Sequence, residues 1–236
     1  MKILAVDTSS AVATCAITDG NKLVAERILN NKLTHSQTIM PMIEDAFREC
    51  EMSISDIDLF AVSNGPGSFT GLRIGVSSVK ALAHSQNKPC AAVSTLEAMA
   101  YNLMYSQYLV CPIMDARRGE VYAAVYRFSD GAVNTVIADT ALPVSELCEK
   151  LEKLKEKVIF LGDGVPPHRE YIENSLGDSA IFAPAHLNAQ RASSLAYAAQ
   201  NKEYIHYSAL TPVYLRKSQA EREMEERKGN NDSNRK

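Results

Sequence analysis

The sequence is short of three features that would each have pointed to a function: long apolar runs, an excess of basic charge, and paired cysteines. Its uninterrupted apolar stretches, such as Ile3 to Val6, fall far below the roughly 18 residues of a membrane span, so no transmembrane helix is expected. The balance of 25 Lys+Arg against 28 Asp+Glu gives a net charge of -3. That balance excludes a broad basic surface for neutralising many phosphates and leaves room for a local patch alone. Cys15, Cys50, Cys90, Cys111 and Cys148 are odd in number and far apart, with no CxxC pair. Zinc and dithiol chemistry therefore lack support, and the thiols read as buried small apolar residues. The opening MKILAVDTSS meets Asp7 too early for the apolar core of a secretory signal, and the cytoplasm is the expected compartment.

Catalytic signatures are also missing. His35 has Ile39 four residues on, and His84, His168, His186 and His206 stand alone, so neither HxxxH nor HExxH occurs. Ser68 sits between Gly67 and Phe69, with Pro66 and Thr70 outside them, which is not a GxSxG nucleophile elbow. The glycine loop Gly65-Pro66-Gly67-Ser68-Phe69-Thr70-Gly71 is one residue too long for GxGxxG, and Leu72 stands where a Walker A loop has lysine. Two readings of this loop stay open: a helix start whose amides attract phosphate or carboxylate, and a tight strand-to-helix turn.

What is present is an ordinary globular composition, 46% apolar and 22% charged over 236 residues, with room for one large domain or two small ones. A local plan occurs twice. Residues 2–6 form a continuous apolar strand that stops at Asp7, followed by a strand over 11–18, the turn pair Asp19-Gly20 and a strand over 22–29. Residues 108–114 likewise run to Asp115, then through the turn 116–119 to a strand over 120–128, the turn Asp130-Gly131 and a strand over 133–138. An aspartate at a strand end can hold magnesium, orient water or cap a turn. In a duplicated two-lobed fold, Asp7 and Asp115 would face a shared cleft.

Helical segments follow in each half. The spacing of Ile39, Ile43, Ala46, Phe47 and Cys50 predicts a helix over 34–50, opened by a Thr34–Gln37 capping box and bent near Pro41. A strand over 57–63 leads through the glycine loop into a helix ending near Ser85, where Gly71, Gly75 and Ser78 allow close approach of another element. A short strand over 90–93 and a helix from Thr95 close this half. Further on, 144–154 and 191–200 read as helices and 158–161 as a strand. From about Lys217 the chain is polar, without periodicity, and is expected to be disordered.

The segments ILAVDTSS, THSQTIMPMI, AVSNGPGSFTGLRIG, MDARRGEVYAAVY, FLGDGV and TPVYLR together resemble the TsaB (YeaZ) family of tRNA threonylcarbamoyladenosine biosynthesis proteins. The resemblance covers essentially residues 1–220. GPGSFTGLRIG and DARRGEVY carry its specificity, whereas the opening DTS is shared across the actin, sugar-kinase and Hsp70 fold. It implies an α/β chain of two tandem ribonuclease-H-like lobes with mixed sheets and flanking helices, over 1–104 and 105–216, with 217–236 as the tail.

The resemblance further implies a non-catalytic subunit that binds TsaD directly and activates or scaffolds it. With the ATPase TsaE, the complex threonylcarbamoylates the adenosine next to the anticodon, tRNA being its substrate. TsaD-type chains carry a metal-binding His-x-x-x-His, and the matching positions here are Thr95 and Met99, neither a replacement for imidazole. No intrinsic cofactor or metal is expected, ATP and magnesium being used by the assembled complex. Asp7, Ser9, Gly67, Asp115, Gly162 and Gly164 would then mark a degenerate nucleotide cleft. His35, Ile39, Met42, Ile43, Arg73, Val76 and Lys80 would form the partner interface, an outward apolar strip on two helices that pairs two copies when TsaD is absent. A free-standing ATP-dependent phosphotransferase or ATPase, with Asp7 and Asp115 on magnesium, is the alternative, and it lacks a clear base. A peptidase lacks both metal ligands and nucleophile.

Overall fold

The computed structural model describes residues 1–31 and 33–216; the tail expected from Lys217 lies outside them. Strand β1 (Lys2–Asp7) is apolar on both faces and therefore takes the centre of a sheet, antiparallel to β2 (Val12–Asp19) and parallel to β4 (Leu59–Gly65). With β3 (Lys22–Asn30) and β5 (Cys90–Ser94) the order is β3-β2-β1-β4-β5. Helices α1 (His35–Glu49) and α2 (Phe69–Gln86) pack on this sheet, and α3 (Thr95–Ala100) follows it.

The second sheet repeats the plan. Strand β6 (Leu109–Arg117) is central, flanked by β7 (Glu120–Ser129) and β8 (Ala132–Pro143) on one side. After α4 (Val144–Leu154), β9 (Val158–Leu161) and α5 (Val165–Leu176), β10 (Ala180–Phe182) completes the order β10-β9-β6-β7-β8. Both sheets join a three-stranded antiparallel meander to two parallel strands, the ribonuclease-H-like arrangement expected of each lobe.

Local differences have local causes. The first hairpin turns at Gly20-Asn21, since Asp19 pairs with Lys22, one residue later than expected. Thr34 makes no side-chain cap to α1: its hydroxyl lies 3.2 Å from that of Ser36, while its carbonyl accepts the Gln37 N–H at 2.9 Å. The bend expected at Pro41 does not divide α1, which runs through it as one element. Helix α5 escapes sequence patterning because Pro166 and Pro167 open it, yet a first-turn proline gives up an N–H that no helix carbonyl could have accepted. Four cysteines are buried, whereas Cys50 is half-buried, and burial pushes the Cys15 thiol up to about 12.

Helix α6 (Ala192–Ala199) decides the architecture. It follows β10 in sequence but packs on β1 and β2 of the first sheet, and the chain after it bridges Ile205 to Cys90 of β5. The stretch expected to close the second lobe therefore returns to the first. Glu26 of β3 anchors the return, its carboxylate taking Arg191 on one oxygen and the Ser193 N–H and hydroxyl, at 2.9 and 2.6 Å, on the other. Burial alone would raise this carboxyl, but Arg191 and Ser193 together hold it below its ordinary range.

The expected outward strip is not there. Ile39, Met42, Ile43 and Val76 are buried in a core with Leu4, Val6, Ile17 and Phe60, because the apolar faces of α1 and α2 cover the first sheet. Gly71 and Gly75 allow close approach as expected, but to a turn: a Cβ would lie 2.1 Å from the Thr8 carbonyl at Gly71 and 2.5 Å from the Thr8 hydroxyl at Gly75.

Replacing Ile39 by alanine is expected to cost about 2–5 kcal/mol of folding stability through the cavity it leaves. Val76→Asp is expected to unfold the first lobe, since its carboxylate would lose water and gain no partner. Urea denaturation followed by circular dichroism measures both, and a native midpoint for Val76→Asp would place that side chain outside the core.

Candidate functional site

A cleft of about 630 Å³ lies between the lobes. The turn after β1 supplies Ser9, Ser10 and Ala11, the loop into α2 supplies Gly67 and Ser68, and the first turn of α2 supplies Phe69 and Thr70. The end of β6 supplies Met114 to Arg117, Asp163 follows β9, and Val213 to Arg216 close the rim.

Of the expected cleft residues, Ser9, Gly67 and Asp115 line this space, whereas Asp7 does not. Asp7 is 1% exposed and fully engaged: the Ser9 N–H and hydroxyl donate to one oxygen at 2.8 and 2.6 Å, and the Ser63 hydroxyl donates to the other at 2.6 Å. Burial raises its carboxyl above the ordinary range, and the Ser63 and Ser9 hydrogen bonds offset part of the rise. Its side chain fastens the β1 turn to β4. Buried and hydrogen-bonded on both oxygens, this carboxylate is withdrawn from the cleft.

Asp115, its counterpart on β6, is 42% exposed at the side chain and accepts the Arg117 N–H at 2.8 Å. Its own N–H donates to Asp163 at 3.2 Å, and His168 Nε2 lies 4.0 Å from its carboxylate. Loss of solvent raises the Asp163 carboxyl; the Asp115 amide opposes this, and the Asp115 charge reinforces it. The two aspartates at matching strand ends thus differ in chemistry, one a buried fastener and one facing the cleft.

Gly162 and Gly164 pack against β6 instead of lining the cleft. A Cβ on Gly162 would lie 2.1 Å from the Ile113 carbonyl and 2.9 Å from Met99 Cε, and Gly164 N–H donates to the same carbonyl at 3.1 Å. The glycine loop adopts the tight-turn reading on one side, with Ser68 N–H donating to Ser9 O at 2.7 Å and the Ser68 hydroxyl capping α2 at Gly71. Its other side forms cleft wall.

The remaining expected residues are scattered. His35 lines the cleft and donates through Nε2 to the Ser10 carbonyl at 2.6 Å. Arg73 is exposed on α2, its guanidinium 3.9 Å from the Phe69 ring centre, and Lys80 Nζ donates to the Ser208 carbonyl at 3.1 Å. Thr95 and Met99 are fully buried. Sequence reasoning missed Asp163, Tyr122, Tyr214 and Arg216 as cleft residues. Asp163 sat inside a glycine motif already noted, and Tyr214 and Arg216 in the TPVYLR segment, so a signal existed without a role attached.

The family model described as "TsaD: tRNA N6-adenosine threonylcarbamoyltransferase" matches residues 22–224. The "tRNA threonylcarbamoyladenosine biosynthesis protein TsaB" of Bacillus subtilis (strain 168) is 37% identical over 94% of this chain and 96% of its own. Its namesake in Escherichia coli (strain K12) is 31% identical over 78% of this chain and 82% of its own. The solved structure of YeaZ from Pseudomonas aeruginosa superposes with a TM-score of 0.74 at 26% identity, covering 91% of this chain and 99% of that one.

The buried Asp7 sets a pH dependence with a definite sign. Because its folded value is raised, its contribution to stability is fully present below the unfolded value and is lost as pH rises through the folded one. Asp7→Asn can keep the Ser9 bonds through its carbonyl and offer its amide to the Ser63 hydroxyl, without the buried charge. The unfolding free energy of Asp7→Asn relative to the native chain is therefore expected to grow as pH rises above the ordinary aspartate value, measured by urea titration at a series of pH values. A constant difference would show that Asp7 titrates as it does in the unfolded chain.

Proposed function

The chain belongs to the TsaB branch of the family that makes tRNA threonylcarbamoyladenosine, and from that premise we propose that it serves as a non-catalytic subunit that binds and activates TsaD. TsaE would act through the same complex, and tRNA would be the substrate of the assembly. The observation that carries this reading is the state of Thr95 and Met99, the positions matching the metal-binding histidines of TsaD-type chains. Both are fully buried, and Met99 packs in an apolar core with Leu96, Val110 and Leu161. A thioether and a hydroxyl in that setting are poor ligands for a hard or borderline metal. The cleft agrees, since Asp7 is consumed by hydrogen bonds and Gly162 and Gly164 by packing.

The partner surface lies on the outer faces of α1 and α2 in this reading. Since Ile39, Met42, Ile43 and Val76 face inward, the contacts fall to what those helices expose: Met40 on α1, and Arg73, Ser77 and Ala81 on α2, beside the partly exposed His35 and Lys80. Ser77 and Ala81 are small and one turn apart, so a partner helix can approach α2 closely there. The same face pairs two copies when TsaD is absent, as a two-fold contact.

Ala81→Glu tests this surface without touching the core. An exposed substitution of this kind changes folding stability by about 0.5 kcal/mol or less. It is expected to weaken TsaD binding at least about tenfold, because a long charged side chain takes the space in which a partner helix approaches Ser77 and Ala81 and loses water to fit there. Analytical ultracentrifugation with TsaD, and of the chain alone, reads both assemblies. Undiminished binding by the folded variant would move the interface elsewhere.

A further inference from the structure

We infer that the segment Thr211–Arg216 is a latch across the interlobe cleft, holding the two lobes at one opening and closing part of the cleft mouth with the chain's own residues. The segment starts from a fixed point, because Lys80 Nζ donates to the Ser208 and Leu210 carbonyls at 3.1 and 3.4 Å. It is then seated on the first lobe. Val213 N–H donates to the Asn64 carbonyl at 2.7 Å, and the Asn64 amide donates to the Thr211 carbonyl at 3.3 Å. The Tyr214 ring centre lies 4.7 Å from that of Phe69, and its hydroxyl accepts from Arg73 Nε at 3.1 Å. Gly65 shows how close the seat is: a Cβ there would lie 2.1 Å from the Val213 carbonyl oxygen.

Two residues later the chain reaches the second lobe. Arg216 donates to the Ala116 carbonyl at 3.3 Å and pairs with Glu120, both in the β6–β7 hairpin that forms the opposite cleft wall. The seat combines backbone hydrogen bonds, ring packing and a glycine approach. The hook is one guanidinium on a partly exposed carboxylate, the side chains being 20% and 31% exposed. Partly exposed ion pairs are weak, so the hook releases before the seat. Opening then frees the hairpin wall from a segment that stays on the first lobe, and anything that engages Arg216 or Glu120 controls the width of the cleft.

Hydrogen–deuterium exchange on the full chain tests this, comparing the native protein with Arg216→Ala and Glu120→Gln, which cut the same pair from opposite sides. Both variants are expected to speed exchange at least about tenfold at residues 114–118 as well as 213–216, with the strands of both sheets unchanged. Small-angle scattering should show a larger maximum dimension for both. Tyr214→Phe, which keeps the ring and loses the hydroxyl, should leave residues 114–118 at the native rate. Faster exchange confined to 213–216 would overturn the proposal by showing a passive strap. Uniformly faster exchange in all strands would overturn it too, by making the contact part of global folding.

Discussion

The structure depends on one shared apolar core between its two sheets. Helices α3 and α6 form the middle of it, their Leu96, Met99, Leu195 and Ala196 packing with Ile3, Ala5 and Leu59 of the first sheet and Val110, Met114 and Leu161 of the second. α6 is almost entirely small, so four of its five buried residues are alanines, and the sheet can lie close to its backbone. Neither lobe owns this core. One face of the first sheet is covered by α6, a helix that follows the whole second sheet in sequence.

That constraint fixes the chemistry of the cleft. In the shared core, Thr95 and Met99 are filler, and the Met99 methyl presses close enough to Gly162 that the glycine serves packing. At the end of β1, Asp7 ties the turn to β4 through Ser63 and gives up its oxygens in doing so. Asp7, Gly162 and Gly164 thus serve as joints between elements. Asp115 and Asp163 line the cleft, and Arg216 reaches the Ala116 carbonyl of the hairpin wall that carries Asp115.

Electrostatics support the same joints. Glu26 is 7% exposed, and it is held ionised by a guanidinium and by the first-turn donors of α6, so a carboxylate on an edge strand replaces the side-chain cap that Arg191 does not provide. Ser94, which caps α3, also donates to Asp139 of β8, and the Tyr126 hydroxyl donates to the same carboxylate at 2.8 Å. Lys202 reaches Glu97 at 2.6 Å from the chain after α6. Except for the Tyr126–Asp139 bond within one hairpin, these bonds join residues far apart in sequence, and none has a local sequence signature.

The sequence by itself determined nine of the ten strands of the described residues, all but β10, together with their duplicated order and the family. Those rest on short-range physics: an apolar run such as KILAV has to be a central strand, Asp130-Gly131 has to be a turn, and the stripe on α1 has to be covered. The same patterns could not say what covers the stripe, since period alone does not distinguish a helix face packed on its own sheet from one packed on a partner. The pattern alone therefore points Ile39 and Val76 at a partner, where their own sheet covers them. Nor could a strand-end aspartate announce its partners: Asp7 and Asp115 have equal places in the topology, and only the approach of Ser63 from β4 buries one while the other stays at the cleft. The return of α6 and the crossing of Thr211–Arg216 belong to the tertiary structure alone, because they are held by contacts between residues 178 and 100 positions apart.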